Sequence, residues 1–333
     1  MAARDTGRMV PRNRVAIVTS GGDAPGMNAA VREVVATLVA RGASPWGVHH
    51  GFAGLARRDW EALGPADIDG IEERPGTILG SARSEAFRFE ETVAETAIRM
   101  KEAGLGRLIA IGGNGTQRGG DALRRYGISV VGIASTIDND VPGIHQSIGA
   151  TTAAATVLEA VERLRATARS HRRVALVETM GRASGWLALS AGIAGCADAI
   201  VAPELCITPE MVGTILSRAW SSGRRGLVVV AAEGAGIDIG RLAHHLETVT
   251  SPGWETRTTV LGHVQRGARP CLEDRLLGRR AGAAAAAAIL TRSPRGIVGA
   301  RDGRCGVLVA PPGDDPNHLT NDLIQLAPRI EIT

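Results

Sequence analysis

The sequence predicts an α/β fold with parallel sheets, and three observations carry that prediction. Short apolar runs bounded by glycine recur along the chain, helical patterns lie between them, and 333 residues leave room for two such layered systems. The runs fall at 15–19, 108–111, 130–134, 174–177, 199–202, 227–232 and 307–310. They have the near-continuous hydrophobicity of strands covered on both faces.

Taken in order, residues 1–13 are polar and without period, so they read as a flexible N-terminal extension, and the fold begins at Arg14. A helix follows the first strand, with Val31, Val34, Val35, Leu38 and Val39 assigned to one face and Gly42 as its stop. A second long amphipathic helix is predicted over about 151–168, with Val157, Val161 and Leu164 on one side. The alanine-rich run after Gly282 reads as a helix lying close on a sheet.

Composition narrows the function classes. With 44% hydrophobic and 22% charged residues the chain can bury a core, and its longest apolar stretches fall well short of the ~20 residues that span a bilayer. The reading is a cytoplasmic protein with no membrane partner. A formal charge of +4 raises the question of nucleic acid, but the charge is dispersed and aromatics are 3%, which leaves few stacking platforms; no nucleic-acid partner is expected. Lys101 is the only lysine, so the cations are arginines, whose fork suits phosphate. The widely spaced Cys196, Cys206, Cys271 and Cys305 carry no zinc or dithiol spacing and read as reduced packing residues.

In open parallel sheets ligands bind beyond the carboxyl ends of strands, so the loops after the apolar runs hold the candidate chemistry. The first is Ser20-Gly21-Gly22-Asp23-Ala24-Pro25-Gly26, and the second is Gly112-Gly113-Asn114-Gly115-Thr116. Each is glycine-rich at a strand-to-helix junction, where free amides accept an anion; each could also be a tight turn. Together they suggest a polyphosphate lying across strand ends. The third loop, Thr136-Ile137-Asp138-Asn139-Asp140, sets two carboxylates at a strand end, able to accept a proton or face a metal-bound water. The last group is Met180-Gly181-Arg182, Glu233, Arg257, His263 and Arg266, cations beside hydroxyl-binding carboxylates, which suit a phosphorylated sugar. A Walker loop and a His-Arg-Asp catalytic loop are both missing, which excludes the common NTPase and protein-kinase designs.

Five motifs carry a family resemblance: Gly-Gly-Asp-Ala-Pro-Gly-Met-Asn-Ala at 21–29, Gly-Thr-Ile-Leu-Gly-Ser-Ala-Arg at 76–83, Thr-Ile-Asp-Asn-Asp at 136–140, Met-Gly-Arg at 180–182, and Leu-Gly-His-Val-Gln-Arg-Gly at 261–267. In this order, over about 14–310, the chain closely resembles the phosphofructokinase family. The resemblance implies two similar parallel-sheet α/β lobes with the active site in the cleft between them. Residues 14–149 plus about 265–313 would bind the phosphoryl donor, and 150–264 plus about 314–333 the sugar phosphate.

It further implies a phosphotransferase, a 6-phosphofructokinase moving the γ-phosphate of ATP to the 1-hydroxyl of fructose 6-phosphate. Asp138 would be the general base, Thr136 would position the acceptor, and Arg83, Arg182 and Gly21 would serve the transferring group. Gly21, Arg83, Ser84, Gly113, Asn114, Gly115 and Thr116 would hold ATP. Thr136, Ile137, Asp138, Arg173, Met180, Gly181, Arg182, Glu233, Arg257, His263 and Arg266 would hold the sugar phosphate. Arg173 and Arg257 match residues that reach a neighbouring subunit's site, which implies a homo-oligomer, a tetramer or at least a dimer. Arg165, Arg224 and Arg225 match positions that bind effectors in regulated bacterial members.

Departures from the family pattern concentrate on the donor side. Asn114 replaces a magnesium-linked aspartate, which leaves Mg2+ to phosphates, water and, indirectly, Asp140. Gly115 resembles ATP users, whereas pyrophosphate-dependent members place aspartate there; Ser135, His49, 143–147 and the tail after Pro311 also differ. Pyrophosphate as donor, a related acceptor such as sedoheptulose 7-phosphate, and a catalytically silent sugar-phosphate-binding regulatory paralogue remain as alternatives.

Overall fold

Two sheets organise the chain. The computed structural model describes residues 13–250, 254–291, 296–301, 303–308 and 323–327. The expected extension, apart from Asn13, and most of the tail lie outside the described residues, as do positions 309–310 of the last expected strand.

The larger sheet forms from β1 (Arg14–Thr19), β2 (Ser44–Val48), β3 (Trp60–Ala62), β4 (Arg107–Gly112) and β5 (Ser129–Ala134). The connecting helices are α1 (Met27–Ala40), α2 (Gly51–Arg57), α3 (Glu90–Glu102) and α4 (Asn114–Arg125). The smaller sheet follows: α5 (Ala150–His171), β6 (Val174–Thr179), α6 (Trp186–Ala194), β7 (Ala199–Val201), α7 (Pro209–Ser221), β8 (Leu227–Ala232), α8 (Ile239–His245) and β9 (Thr256–Val260). The chain then returns through α9 (Leu272–Ile289) to β10 (Ile297–Arg301) and β11 (Arg304–Leu308), which extend the first sheet.

The seven-stranded order is β11-β10-β5-β4-β1-β2-β3, antiparallel only at its two edges, and the four-stranded order is β7-β8-β6-β9, parallel throughout. In the first sheet the chain leaves β1 toward β2, then crosses back to β4 on the other side. The crevice between the ends of β1 and β4 is therefore a topological switch point, the place where such sheets bind ligands.

Alternation along the strands divides the cores. Ile17, Ile109 and Val131 face α1 and α9, whereas Ala16, Leu108 and Val130 face α2, α3 and α4. In the second sheet Val177 and Val230 meet α5 and α6, and Leu176 and Val229 meet α7 and α8. The alanine-rich run belongs to α9, and small residues are required there. A Cβ at Gly278 would lie 2.9 Å from the Gly26 carbonyl oxygen, and one at Gly282 would lie 2.7 Å from that of Ala30. Helices α1 and α9 therefore approach nearly backbone to backbone.

Three expectations are corrected. Val39 is 39% exposed and stands off the buried face of α1, because the next turn ends at the Gly42 stop. Cys196 and Cys206 are exposed at left-handed turn positions, so only the half-buried Cys271 and Cys305 pack as expected; all four are free. Strands β2, β9 and β10 form without a long apolar run: β2 holds Pro45 and Gly47, β9 is an edge strand rich in threonine with an arginine, and β10 has Gly299 at its centre. No described helix is long and apolar enough to cross a membrane.

Candidate active site in the cleft between the sheets

A cavity of about 820 Å³ opens where the carboxyl ends of β1, β4 and β5 meet the loop after β6. Its floor is built by hydrogen bonds between loops distant in sequence. The Ser20 amide donates to the Ile111 carbonyl at 3.1 Å, and the Thr116 hydroxyl donates to the Ser20 carbonyl at 2.8 Å, so the two glycine loops lie side by side. Segment 76–83 is drawn against the first of them: Ser81 donates to the Gly21 carbonyl, and Asn28 bonds both the Arg74 carbonyl and the Ile78 amide.

One glycine is dictated by close approach, and a second is crowded by a side chain that can give. A Cβ at Gly112, whose φ is +158°, would fall 2.3 Å from the Thr116 hydroxyl and 2.5 Å from the Ser20 carbonyl oxygen. At Gly22 it would press on the Arg266 guanidinium at 3.0 Å. Gly112→Ala is expected to cost about 2–4 kcal/mol, read as a lowered denaturant midpoint at unchanged slope, since both neighbours are held by hydrogen bonds and cannot retreat.

Gly113 caps α4 without a side-chain bond, and the first helical hydrogen bond is made by the Thr116 amide to Gly113. The amides of Asn114 and Gly115 therefore precede the ladder at a positive helix end, beside open space at Gly115. Anionic phosphate suits that place. Arg83, Ser84, Arg88 and Arg118 line the same wall.

The carboxylates face this wall. Asn139 adopts φ 50° and braces the turn, its Oδ1 accepting the Ser147 amide at 2.8 Å and its Nδ2 donating to the His145 carbonyl at 3.1 Å. Asn114 donates to the Asp140 backbone carbonyl at 3.1 Å, tying the donor helix to the same turn. Asp138 is 9% exposed, and its carboxyl is pushed up to about 6, first by burial and then by the charge of Asp140, with Glu233 adding a little. The cations Arg182 and Arg266 oppose the rise. Asp140 is raised as well, chiefly by burial, against hydrogen bonds from its own backbone and Asn114.

From the second sheet come Arg182 and Arg266. Arg182 sits at φ 53°, and Glu233 Oε1 accepts the amides of Gly181 and Arg182 at 3.2 and 2.9 Å. Fully buried Gln265 accepts the Met180 amide at 3.3 Å and donates to the Gly262 carbonyl at 2.9 Å. The Met-Gly-Arg loop is thus moulded by side chains that do not themselves line the cavity.

Of the residues singled out in the sequence, Gly21, Arg83, Ser84, Gly113, Asn114, Gly115, Thr116, Thr136, Ile137, Asp138, Asp140, Arg182 and Arg266 line one cavity. Met180, Gly181, Glu233 and His263 stand behind or beside it: Met180 is buried in the core and His263 is exposed on the turn after β9. Arg173 and Arg257 are not brought to it. Both pair with Glu255 at the starting ends of β6 and β9, about 20 Å of strand away from the Met-Gly-Arg loop. Sequence reasoning missed Arg118, Phe52 and Phe87. Arg118 was legible as the i+4 neighbour of Asn114 on α4, whereas the two phenylalanines, stacked at 4.6 Å, carry no local signal.

The fold and the cavity define an α/β protein of two parallel-type sheets, with glycine loops and arginines gathered around a buried carboxylate. The sequence pattern of the phosphofructokinase family matches residues 14–289. The ATP-dependent 6-phosphofructokinase 1 of Thermus thermophilus is 44% identical over 296 residues, covering 87% of this chain and 90% of that protein. The ATP-dependent 6-phosphofructokinase of Natranaerobius thermophilus is 40% identical over 291 residues, with the same coverage of 87% and 90%. Among solved structures, phosphofructokinase from Saccharomyces cerevisiae superposes with a TM-score of 0.82 at 32% identity, over 94% of this chain and 46% of that longer one, so this chain spans just under half of it. A pyrophosphate-dependent phosphofructokinase from Marinobacter aquaeolei shares the fold at a TM-score of 0.78 and 21% identity, over 93% of this chain and 84% of that one. The chain belongs to the phosphofructokinase family.

Proposed function

We infer that the chain transfers the γ-phosphate of ATP to the 1-hydroxyl of fructose 6-phosphate. The observation that carries this reading is a buried Asp138, poised between two glycine loops on one side and two arginines on the other. Phosphoryl transfer asks for in-line positioning and neutralised charge more than for covalent chemistry. The amides of Asn114 and Gly115 with Arg83 and Ser84 hold the donor phosphates, and Thr136 and Asp138 meet the acceptor. Asp138 takes the hydroxyl proton as the oxygen–phosphorus bond forms, and Arg182 offsets charge on the group in flight. Met180, Gly181, Glu233, His263 and Arg266 complete the sugar-phosphate side.

Phe52, Phe87 and the open flank at Gly115 give the cavity room beyond the phosphates, which supports a nucleotide over pyrophosphate. The relatives named ATP-dependent at 40–44% identity support the same donor. No group of three or more ligating side chains among the described residues could cage a metal. The residues instead fit a Mg2+ held mainly by phosphates and water, with Asp140 and Asn114 beside it, where it would neutralise charge between the phosphates. The lobe of 14–149 with 265–313 serves the donor, and that of 150–264 with 314–333 the acceptor. Arg173 and Arg257, far from their own cavity, suit a neighbouring copy's site in a cytoplasmic homotetramer.

The test is ADP release by the purified protein with ATP, Mg2+ and fructose 6-phosphate, run beside pyrophosphate and sedoheptulose 7-phosphate. Turnover with ATP and fructose 6-phosphate is expected; turnover only with pyrophosphate or only with the seven-carbon acceptor would replace the corresponding half of the assignment. Because Asp138 must be ionised to accept a proton, kcat/KM should rise through a limb near pH 6, not near the usual aspartate value of about 4. A pH–rate profile flat from 5 to 8 would remove Asp138 as the base.

A further inference from the structure

A carboxylate outside the cavity joins the segments that build it. Asp274, in the first turn of α9, is fully buried. Its Oδ1 accepts the Gly149 amide at 2.9 Å, and its Oδ2 accepts the Thr152 amide at 2.8 Å and the Thr152 hydroxyl at 2.5 Å. Gly149 and Thr152 open α5, so the carboxylate satisfies orphan amides at a helix start, where the dipole also favours an anion. The Thr152 hydroxyl meanwhile accepts the Cys271 amide at 3.0 Å, which ties the residue before α9 to the same point.

From Gly149 the connections run straight to the third loop. The Ile148 carbonyl accepts the Thr136 amide at 3.1 Å and the Ser135 hydroxyl at 3.2 Å. The Ser147 amide donates to Asn139 Oδ1, and the Ser147 hydroxyl lies 2.8 Å from the Thr136 carbonyl oxygen. Asn139 depends on these bonds to hold its left-handed turn between Asp138 and Asp140. On the other flank the first glycine loop is equally close. A Cβ at Gly149, φ +101°, would lie 2.5 Å from that of Ala24, and one at Gly26 would lie 3.1 Å from the Asp274 carbonyl oxygen.

We infer that Asp274 is a positioning residue for phosphoryl transfer: by anchoring the start of α5 to α9 it holds 147–149, and through it the Thr136–Asp140 turn, against the first glycine loop. It touches no substrate. The inference rests on the reading of Asp138 as the reacting carboxylate.

Asp274→Asn preserves shape, but whichever way the amide is turned its nitrogen faces a backbone N–H, that of Gly149 or that of Thr152, which has no acceptor to offer, so at least one of these two bonds is lost. In the full-length protein, kcat with ATP and fructose 6-phosphate should fall about tenfold while both KM values stay within about twofold, as displacement of a positioned group predicts. Hydrogen exchange without substrate should show the amides of 136–149 exchanging about tenfold faster, since the bonds that protect them are loosened. Leu216→Ala, in the separate core under α7, serves as the stability control: an equal loss of Tm should leave kcat and exchange in 136–149 unchanged.

Thr152→Val removes one donor and keeps the carboxylate, so it should shift both readouts the same way by less; it carries the test if Asp274→Asn does not fold. Lowered Tm with unchanged kcat and unchanged exchange in 136–149 overturns the inference. Failure of the functional reading appears separately, as absent turnover in the unsubstituted protein, while the exchange data still report on the anchor.

Discussion

Asp138→Asn is expected to lower kcat by about 10³-fold or more, with both KM values little changed, while making the folded protein more stable at pH 7.5. The first half follows from chemistry. The amide keeps the shape and can still hydrogen-bond the acceptor, but it cannot take the proton, and a positioned general base contributes roughly 10²–10⁴. Substrate contacts made by the glycine loops and arginines remain, so ground-state binding survives.

The second half follows from linkage. Burial and the neighbouring Asp140 raise the Asp138 carboxyl from 3.8 to about 6. A carboxyl raised on folding stabilises the native state below its unfolded value, and that contribution is lost as pH rises through the folded value. At pH 7.5 the native protein therefore carries the whole penalty of a buried charge, on the order of 1–3 kcal/mol. Asparagine removes it. Thermal unfolding should show the variant gaining in Tm at pH 7.5 and converging on the parent near pH 4. A variant that is inactive and also less stable at pH 7.5 would mean that Asp138 is structural and not a strained catalytic group.

The parts of this site legible in the sequence are those whose chemistry is local. Gly112 and Gly113 read as a phosphate loop because a strand precedes them and a helix follows, and the structure puts the free amides of Asn114 and Gly115 at that junction. The Asp138–Asp140 pair was visible for the same reason. The roles of Gln265 and Asp274 were not. Each works by accepting an amide from another segment, 85 residues away for Gln265 and 125 for Asp274, and nothing in local pattern marks such a partner. Strand β2 was hidden behind Pro45 and Gly47, since its pairing is decided by β1 and β3 and not by its own propensity. Arg173 and Arg257 show the converse: the resemblance assigns them to a neighbouring subunit's site, and strand direction sets them at the opposite end of their sheet from their own cavity.

Arg182→Leu is expected to lower kcat by about 10²–10³-fold and to move the acid limb of kcat/KM above its position near pH 6. The loop invests heavily in this one side chain. A non-glycine residue at φ 53° carries a local cost, repaid by two amide bonds to Glu233, and a Cβ at Gly234 would fall 1.5 Å from the Arg182 carbonyl oxygen, so the two backbones are packed in direct contact. Such construction keeps the guanidinium in the cleft facing Asp138. Losing it removes a cation from the charge that develops in transfer, an effect worth about 3–4 kcal/mol at a preorganised site. It also removes the larger of the two forces that hold the Asp138 carboxyl down, leaving Arg266 alone against burial, Asp140 and Glu233, so the carboxyl must rise. The two effects separate by pH. At pH 8.5 the base is ionised again and only the transition-state loss remains, whereas at pH 6.5 both act. Arg182→Lys should restore much of the limb position but little of kcat, because a point charge replaces a planar fork. If leucine lowers kcat equally at both pH values and the limb does not move, Arg182 does not act on Asp138, and its part is confined to the charge on the transferring group.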